Sequence, residues 1–257
     1  MSIADFIARI RKRETPFYDR LYRIARKLRT FEAPTIKGFH NALYLENRFR
    51  INAWRSFWRI FYYQPLFRSQ CVVCGKNLHI YHSGQGLPWI EGNPKISIGN
   101  NVKLYDRITL GALTVGENPV IVIGDDTDFP AATGIFIGKE VRVGSHCIIG
   151  SSMISDNPGH NVDYRKRSMK VARILIGTVE IGDYVWAGFQ SVIVGNVKVG
   201  FGAVVAMRAV VTKNVPPFCI VSGNPARIVY KLPFPKEMIE TLGGEAYRKY
   251  QEAVLGD

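Results

Sequence analysis

The sequence predicts a mainly β protein whose central part is a parallel β-helix, with helical segments before and after it. Two observations carry this prediction. An apolar residue recurs every six residues late in the chain, at Ile181, Ala187, Ile193, Val199, Val205 and Val211. Glycine follows several of these residues, at Gly182, Gly188 and Gly200. A period of six is typical of short strands joined by tight turns, in which three strands form one triangular coil and stacked coils bury the apolar column.

The same period is present earlier in the chain, from residue 96 onward. It appears as the pairs Ile98-Gly99, Leu104-Tyr105, Leu110-Gly111, Ile123-Gly124, Ile137-Gly138, Val143-Gly144 and Ile149-Gly150. Insertions in a solenoid project as loops, often on the binding face. The longest interruption covers residues 155–173, which are polar and basic and include His160. We therefore predict a β-helix domain over residues 96–229 with a projecting loop at 155–173.

Residues 1–95 are predicted to form a basic, largely helical region that leads to the entrance of the β-helix. Apolar residues recur at helical spacing, with basic residues mostly on the other side. They are Ile3, Phe6, Ile7 and Ile10, followed by Phe17, Leu21, Ile24 and Leu28. At the other end of the chain, residues 230–257 are predicted to be a short Pro-rich connection followed by a C-terminal helix.

The N-terminal region holds most of the net positive charge. Residues 1–70 contain 15 Lys or Arg against 5 Asp or Glu, in a chain with a formal net charge of +13. This asymmetry favours an anionic partner, although a solvated basic helix face would look the same. Basic amphipathic helices with aromatic residues lie in membrane interfaces or pack on a neighbouring subunit. We expect a peripheral contact with an anionic membrane through residues 1–67, and no nucleic-acid partner.

The location expected for the protein is cytoplasmic, extending to the inner face of the membrane. Four cysteines without a regular framework suggest a reducing compartment. The first 17 residues lack the apolar core of a signal peptide, and the most apolar run, residues 54–67, is too short to span a bilayer. Cys71 and Cys74 form a lone CxxC that His79 and His82 could complete as a zinc set, but strand packing is the favoured interpretation. No metal is predicted.

Three strings carry a family resemblance: WAG from Trp186 to Gly188, GNVKVGFGAVV, and VVTKNVPPFCIVSGNPARIV ending at Val229. Over residues 96–229 the chain resembles the hexapeptide-repeat acyltransferases. It is most similar to the galactoside, maltose and xenobiotic acetyltransferases and the sugar O-acetyltransferases of surface polysaccharide synthesis. The resemblance implies a left-handed parallel β-helix and a homotrimer. It also implies acetyl-CoA bound in clefts between adjacent subunits.

His160 is the catalytic residue that this resemblance implies. In the family, a histidine after a loop glycine, here Gly159, accepts the proton of the acceptor hydroxyl. A neutral imidazole suits that task near neutral pH. Asp156 could hold the imidazole in the right tautomer, as could a peptide carbonyl. Both substrates can meet in one ternary complex, so no nucleophilic Ser or Cys is required.

The acyl pocket and oxyanion donors implied by the family fall on Trp186, Gly188 and Phe189. Trp186 would line the cleft near the acetyl group, or it would simply stack between coils. Backbone N–H groups at Gly188 and Phe189 would stabilise the tetrahedral oxyanion. Family members usually have a small residue where this chain has Phe189.

The CoA contacts implied by the family fall on later coils. Met207, where an alanine is more common, would offer backbone groups to the pantetheine arm. Thr212 and Lys213 would lie beside the adenine and phosphates, and Arg227 would pair with a phosphate.

The resemblance implies an acetyl-CoA-dependent O-acetyltransferase acting on a sugar hydroxyl in surface polysaccharide synthesis. The basic N-terminal region favours a lipid-linked or nucleotide-linked acceptor.

Three alternatives to this function stay open. One is an acyltransferase for another hydroxyl, amine or thiol acceptor, and another is a non-catalytic trimeric scaffold docked at a membrane. The third, a γ-type carbonic anhydrase, would need three histidines on zinc, whereas the coil region offers His146 and His160.

Overall fold

The computed structural model of the protein describes residues 2–81, 87–112, 118–130, 132–169, 175–233, 235 and 248. The chain divides into two compact units, Met1–Asn52 and Ala53–Asp257. Among the described residues, helices occupy the first part of the chain and short strands follow from Cys71 to Lys231.

The helices confirm the helical prediction for the N-terminal region. They are α1 (Ile3–Lys12), α2 (Pro16–Arg29), α3 (Lys37–Trp58) and α4 (Gln64–Arg68), with a π-helical turn at Arg59–Tyr63. A capping box between Ser2 and Asp5 starts α1. The Thr15 side chain caps α2, whose first residue is Pro16. The rings of Phe6 and Tyr18 meet edge to face at 5.7 Å, which joins α1 to α2.

The strands are short and follow one another around a triangular coil. In chain order they are β1 (Cys71–Cys74), β2 (His79–Ile80), β3 (Trp89–Glu91), β4 (Lys95–Ile98), β5 (Lys103–Leu104), β6 (Thr109–Ala112), β7 (Val120–Ile123), β8 (Asp128–Phe129), β9 (Gly134–Ile137), β10 (Glu140–Val143), β11 (Ile148–Ile149), β12 (Met153–Ser155), β13 (Thr178–Ile181), β14 (Trp186–Ala187), β15 (Val192–Val194), β16 (Val197–Val199), β17 (Val204–Val205), β18 (Val210–Val211), β19 (Cys219–Ser222) and β20 (Arg227–Lys231).

The described strands form three sheets, with one strand from each coil in each sheet. Sheet A has the order β1-β4-β7-β10-β13-β16 and sheet C has the order β3-β6-β9-β12-β15-β18. Sheet B has the order β2-β5-β8-β11-β14-β17-β19-β20. Pairing is parallel until the antiparallel pair of β19 with β20. The predicted parallel β-helix is confirmed. Its first coil begins at Cys71, inside the segment that the sequence assigned to the entrance.

The predicted apolar columns form the core. The six residues of the late repeat are each 3 % exposed or less. They lie in register with earlier coils. In sheet A, Ile181 pairs with Val143 on one side and Val199 on the other. In sheet B, Ala187 pairs with Ile149 on one side and Val205 on the other. Polar side chains inside the coil are hydrogen-bonded. Ser152 and Ser191, for example, approach to 2.8 Å through their hydroxyls. The polar side chains inside the coil therefore do not carry the energetic cost of unpaired buried groups.

The corner between sheets A and B is held by a ladder of polar side chains. The backbone N–H of Asn100 donates to Asp125 Oδ1 at 2.6 Å, that of Asp125 to Ser145 Oγ at 3.1 Å, and that of Ser145 to Asp183 Oδ1 at 2.7 Å. Gly124 comes directly before Asp125 of this ladder, and a Cβ at Gly124 would lie 2.6 Å from the backbone of the next coil. The ladder satisfies backbone groups that the turns leave unpaired.

The start of the core is closed by α4. Phe67 is 1 % exposed and belongs to the core cluster. Arg68 donates to the carbonyls of Gly75 and Cys74 at 3.0 and 3.1 Å. Cys71 and Cys74 pack against the core, and burial, followed by the neighbouring Cys74, raises the pKa of Cys71 to about 12. The described residues contain no metal-ligand cluster, and His82 of the zinc alternative lies outside them.

The chain leaves the β-helix through β20, which extends to Lys231 and so past the predicted domain boundary at residue 229. The predicted C-terminal helix falls almost entirely outside the described residues. Among the helices that the structure describes, none combines the length and apolar composition needed to cross a bilayer.

Candidate active site

The candidate residues divide between two corners of the coil. Gly188, Phe189 and Met207 lie at the corner that follows sheet B. Thr212 and Lys213 lie at the corner that follows sheet C, because they come directly after β18. The loop that carries His160 leaves the same corner after β12. One side of the coil, roughly 13 Å for four extended residues, separates the two corners.

The corner after sheet B has two backbone N–H groups, on successive coils, that lack an acceptor among the described residues. The Gly188 N–H donates to the Val205 carbonyl at 2.8 Å, so it is used within the coil and is not free for an oxyanion. The following Phe189 N–H has no acceptor among the described residues, and the same holds for Met207 on the next coil. The structure therefore corrects the expectation for Gly188 and leaves Phe189 and Met207 as the available donors.

Gly188 has a steric role at this corner. A Cβ at Gly188 would lie 2.7 Å from the Met207 nitrogen and 3.0 Å from the Val205 carbonyl oxygen. Only glycine allows the two coils to approach this closely. The side chains of Phe189 and Met207 are 53 % and 66 % exposed. The corner therefore presents two large apolar side chains beside two free donors.

Trp186 lies on the outer face of sheet B, just before this corner. It is in register with Ile148 on one side and Val204 on the other, and it is 55 % exposed. No ring contact joins Trp186 to any described aromatic residue. Its indole is thus open to a ligand or a neighbouring surface and is not stacked between aromatic rings of successive coils.

Two arginines extend the same corner toward the end of the coil. Arg227 is exposed on β20 opposite Ser222, and its Nη1 donates to the Ala226 carbonyl at 2.9 Å. Arg208 follows Met207, and its Nε donates to Gln190 Oε1 at 3.1 Å. Arg208 was missed by the sequence reasoning. The sequence offered a signal, because Gln190 and Arg208 lie 18 residues, one coil, apart. In the structure both have positive φ.

The corner after sheet C brings Thr212 and Lys213 near the base of the His160 loop. Ile154, Ile193 and Val211 are in register across β12, β15 and β18. Thr212 is therefore two strand spacings, about 10 Å, from Ser155, the last residue of β12. Both Thr212 and Lys213 are exposed.

Asp156 anchors the base of this loop and does not orient His160. It is fully buried. Its Oδ1 accepts from the Gly138 N–H at 2.6 Å and from Asn157 Nδ2 at 2.9 Å. Its Oδ2 accepts from the N–H groups of Lys139 and Glu140, both at 2.7 Å. These four bonds fill the acceptor sites of the carboxylate, so the predicted tautomer-setting role of Asp156 is wrong in this arrangement.

His160 is presented at the surface by two asparagines that frame its turn. Asn157 Oδ1 accepts from the Gly159 N–H at 2.8 Å, and Gly159 has φ of 76°. Asn161 Nδ2 donates to the carbonyls of Lys166 and Met169 at 2.9 and 3.3 Å. The imidazole is exposed, and within residues 155–169 and the rest of the described chain it has no hydrogen-bond partner. The loop is thus pinned at both ends around an accessible histidine.

Comparison with known proteins identifies the family. No protein-family model matches the sequence. The chain is 35% identical over 119 residues to the chloramphenicol acetyltransferase of Escherichia coli, covering 40% of this chain and 56% of that protein. It is 32% identical over 123 residues to the probable macrolide acetyltransferase of Lysinibacillus sphaericus, covering 42% of this chain and 68% of that protein. The chain belongs to the hexapeptide-repeat acetyltransferases.

The family fold agrees with the three-sheet coil. A mutant of AntD, an N-acyltransferase from Bacillus cereus solved with dTDP and coenzyme A, superposes with a TM-score of 0.50 and 20% identity, covering 72% of this chain and 96% of that chain. The β-helix of this hexapeptide-repeat acetyltransferase is accordingly left-handed, an exception to the usual right-handed crossover. The chain spans about half the length of the first curated relatives it matches.

Proposed function

We propose that this hexapeptide-repeat acetyltransferase moves an acetyl group from acetyl-CoA to a hydroxyl of a sugar, with His160 as the general base. The observation that carries the proposal is the presentation of His160. The loop around it is hydrogen-bonded at its base and across its tip, while the imidazole is left exposed. A histidine held in this way can accept a proton without prior rearrangement of the loop.

The proposed reaction is a direct transfer. One ring nitrogen of His160 takes the proton of the acceptor hydroxyl as its oxygen attacks the thioester carbonyl. The tetrahedral intermediate then collapses, the C–S bond breaks, and the imidazolium returns the proton to the departing CoA sulfur. The free N–H of Phe189 is the donor best suited to the oxyanion, since the Gly188 N–H is already used in the coil.

The residues proposed to hold CoA are Met207, Thr212, Lys213 and Arg227, to which we add Arg208. CoA is multiply anionic, and Lys and Arg are suitable partners for its phosphates. The Met207 N–H is free among the described residues and suits a carbonyl of the pantetheine arm. Trp186 and the side chain of Phe189 are proposed to bound the acetyl end.

A homotrimer is proposed because one chain does not assemble the site. His160, Thr212 and Lys213 belong to one corner of the coil, whereas Trp186, Phe189, Met207 and Arg227 belong to another. Packing the corner after sheet C of one copy against the corner after sheet B of the next would complete a cleft. Sedimentation analysis that finds only monomers at active concentrations would contradict this assembly.

The acceptor is proposed to be a sugar of surface polysaccharide synthesis, lipid-linked or nucleotide-linked, and modified in the cytoplasm. The support is the positive charge of the N-terminal region, which suits a substrate carrying phosphate. The exposed Phe189, where a small residue is usual, favours a pocket of altered shape and keeps other hydroxyl or amine acceptors as the second candidate.

The test is calorimetric titration of acetyl-CoA, followed by transfer assays on a panel of sugars, amines and serine. The variants are His160→Ala and, as a matched control, His146→Gln, whose ring stacks on Tyr184 at a different corner. We expect all three proteins to bind acetyl-CoA and kcat to fall by about 10²–10⁴-fold only in His160→Ala. If the wild-type protein binds no acetyl-CoA, the enzyme proposal fails and a scaffold role replaces it.

A further inference from the structure

Helices α1 and α2 expose an apolar face that no described residue of the first unit covers. No residue of either helix is buried. The contact between them partly covers Phe6, Ile10, Tyr18, Leu21 and Tyr22. The exposed apolar residues are Ile3, Ile7, Phe17, Ile24 and Leu28, which we call the α1–α2 face. Exposed apolar residues that share one side of an amphipathic helix are typical of an interaction site.

Cations line one edge of this face. Arg20, Arg23 and Lys27 border a groove of about 430 Å³ together with Pro16 and Ile24. At about 100° per residue, Arg20 and Lys27 lie about 40° and 60° from Ile24 around the helix axis. Their aliphatic stems can therefore run along the apolar stripe while their charged ends reach its border.

Most of these cations lack an acidic partner. The first unit has only five carboxylates. Three are in ion pairs: Glu14 with Arg9, Asp19 with Arg13 and Arg23, and Glu46 with Arg50. Asp5 accepts from Ser2, and Glu32 follows the end of α2. The cations without an ion pair among residues 2–52 are Arg11, Lys12, Arg20, Arg26, Lys27, Arg29, Lys37 and Arg48. The field around the α1–α2 face is thus positive, and the unit itself does not compensate it.

We propose that the α1–α2 face binds the surface of an anionic phospholipid membrane. Apolar side chains would enter the boundary between headgroups and acyl chains, and Arg20 and Lys27 would meet the phosphates at the edge of the face. A second copy of the chain suits this face poorly, because a symmetric pairing sets the same patch against itself and brings like charges together.

Vesicle sedimentation with the full-length protein tests the charge contribution. Vesicles of phosphatidylcholine alone are compared with mixed phosphatidylcholine and phosphatidylglycerol vesicles. We expect binding to the mixed vesicles only, weakening as the Debye length falls from about 10 Å at 0.1 M salt to about 3 Å at 1 M. The double variant Arg20→Gln, Lys27→Gln should bind about 30-fold less tightly, at about fivefold for each cation.

A matched variant separates position from net charge. Arg26→Gln, Arg29→Gln removes the same charge from the side of α2 away from the stripe, and it should weaken binding by less than about fivefold. Equal losses in the two double variants would overturn the proposal, because they would indicate a diffuse attraction to net charge. Equal binding of the wild-type protein to both kinds of vesicle would also overturn it.

The apolar contribution is tested with Phe17→Ser, Leu28→Ser, which should lower partition by about tenfold or more while leaving the helical circular dichroism unchanged. If this variant instead changes the sedimentation coefficient of the protein and keeps vesicle binding, the face joins copies of the chain and the lipid proposal is wrong. The inference is independent of acetyl transfer, so a failed vesicle assay leaves activity on a water-soluble acceptor unaffected.

Discussion

The β-helix and the α1–α2 pair are both encoded by periodic apolar residues, but only the β-helix buries them. In both regions apolar residues recur at the period of the local structure. Ile135, inside the coil, is 0 % exposed, whereas Ile24, on the stripe of α2, is 49 % exposed. The coil closes on itself, so the chain supplies the cover for every inward residue. An amphipathic helix pair has no such closure, and its apolar face requires something from outside the unit.

The largest expected effect comes from placing the same charge in both regions. Ile135→Asp buries a carboxylate among aliphatic side chains, and we expect a loss of more than about 4 kcal/mol and failure to accumulate folded protein. Ile24→Asp should cost about 0.5 kcal/mol or less, because its site is open to water. Urea denaturation of both variants measures the contrast, and a comparable loss in Ile24→Asp would show that the stripe is covered within the chain.

A smaller effect is expected from removing one carboxylate charge in each region. Asp156→Asn exchanges one acceptor oxygen for an amide donor facing backbone N–H groups, and it should lower the free energy of unfolding by about 3 kcal/mol. Asp19→Asn, which weakens an ion pair with Arg23 at the surface of α2, should cost about 0.5 kcal/mol. Denaturation midpoints of the two variants give the difference. Equal midpoints would mean that the bonds of Asp156 are not needed for folding.

The smallest effect concerns acid and acts on the β-helix unit alone. Burial, followed by the charges of Arg59 and Lys103, lowers the pKa of His79. Arg59 Nη1 lies 2.5 Å from His79 Nδ1, which must therefore accept and stay neutral. In the unfolded chain the pKa of a histidine is about 6.5. The stability that neutral His79 contributes is therefore fully present above that pH, and it is lost as the pH falls through the lower pKa of the folded state. Melting scans from about pH 7 to about pH 5 should show a smaller decline in His79→Gln than in wild type. An identical decline would assign the acid sensitivity to other groups.

The core of the coil was predictable from the sequence because its apolar residues recur at a constant spacing of six. Ile181 and the residues at six-residue spacing after it are all buried. The start at Cys71 was harder to place, since β1 and β2 lack the pairing of an aliphatic residue with a following glycine. That first coil is recognised by its hydrogen bonds to β4 and β5, which no local pattern reveals.

The candidate site was predictable in its residue types and less so in its geometry. Residues 18 apart share a corner, as Gly188 and Ala206 do, whereas Thr212 follows Gly188 by 24 and must lie at the next corner. This spacing could have revealed the division between corners. The same spacing brings Gly138 to the corner of Asp156, which follows it by 18 residues. It does not reveal that the N–H groups of residues 138–140 all donate to the carboxylate, because that depends on the local path of the backbone. The use of the Gly188 N–H by Val205 likewise depends on the exact register.

The reversal of direction at β20 protects the last turn of the coil. A parallel coil presents at its last turn an open strand edge of the kind that could template a further coil from another molecule. In sheet B this edge is covered by β20, which runs antiparallel to β19 and pairs with it from Cys219 to Ser222. A following parallel strand would meet a different hydrogen-bond spacing. At the opposite end Phe67 and α4 sit over the first coil. Both features oppose end-to-end polymerisation into fibres, which a stack of identical turns would otherwise invite.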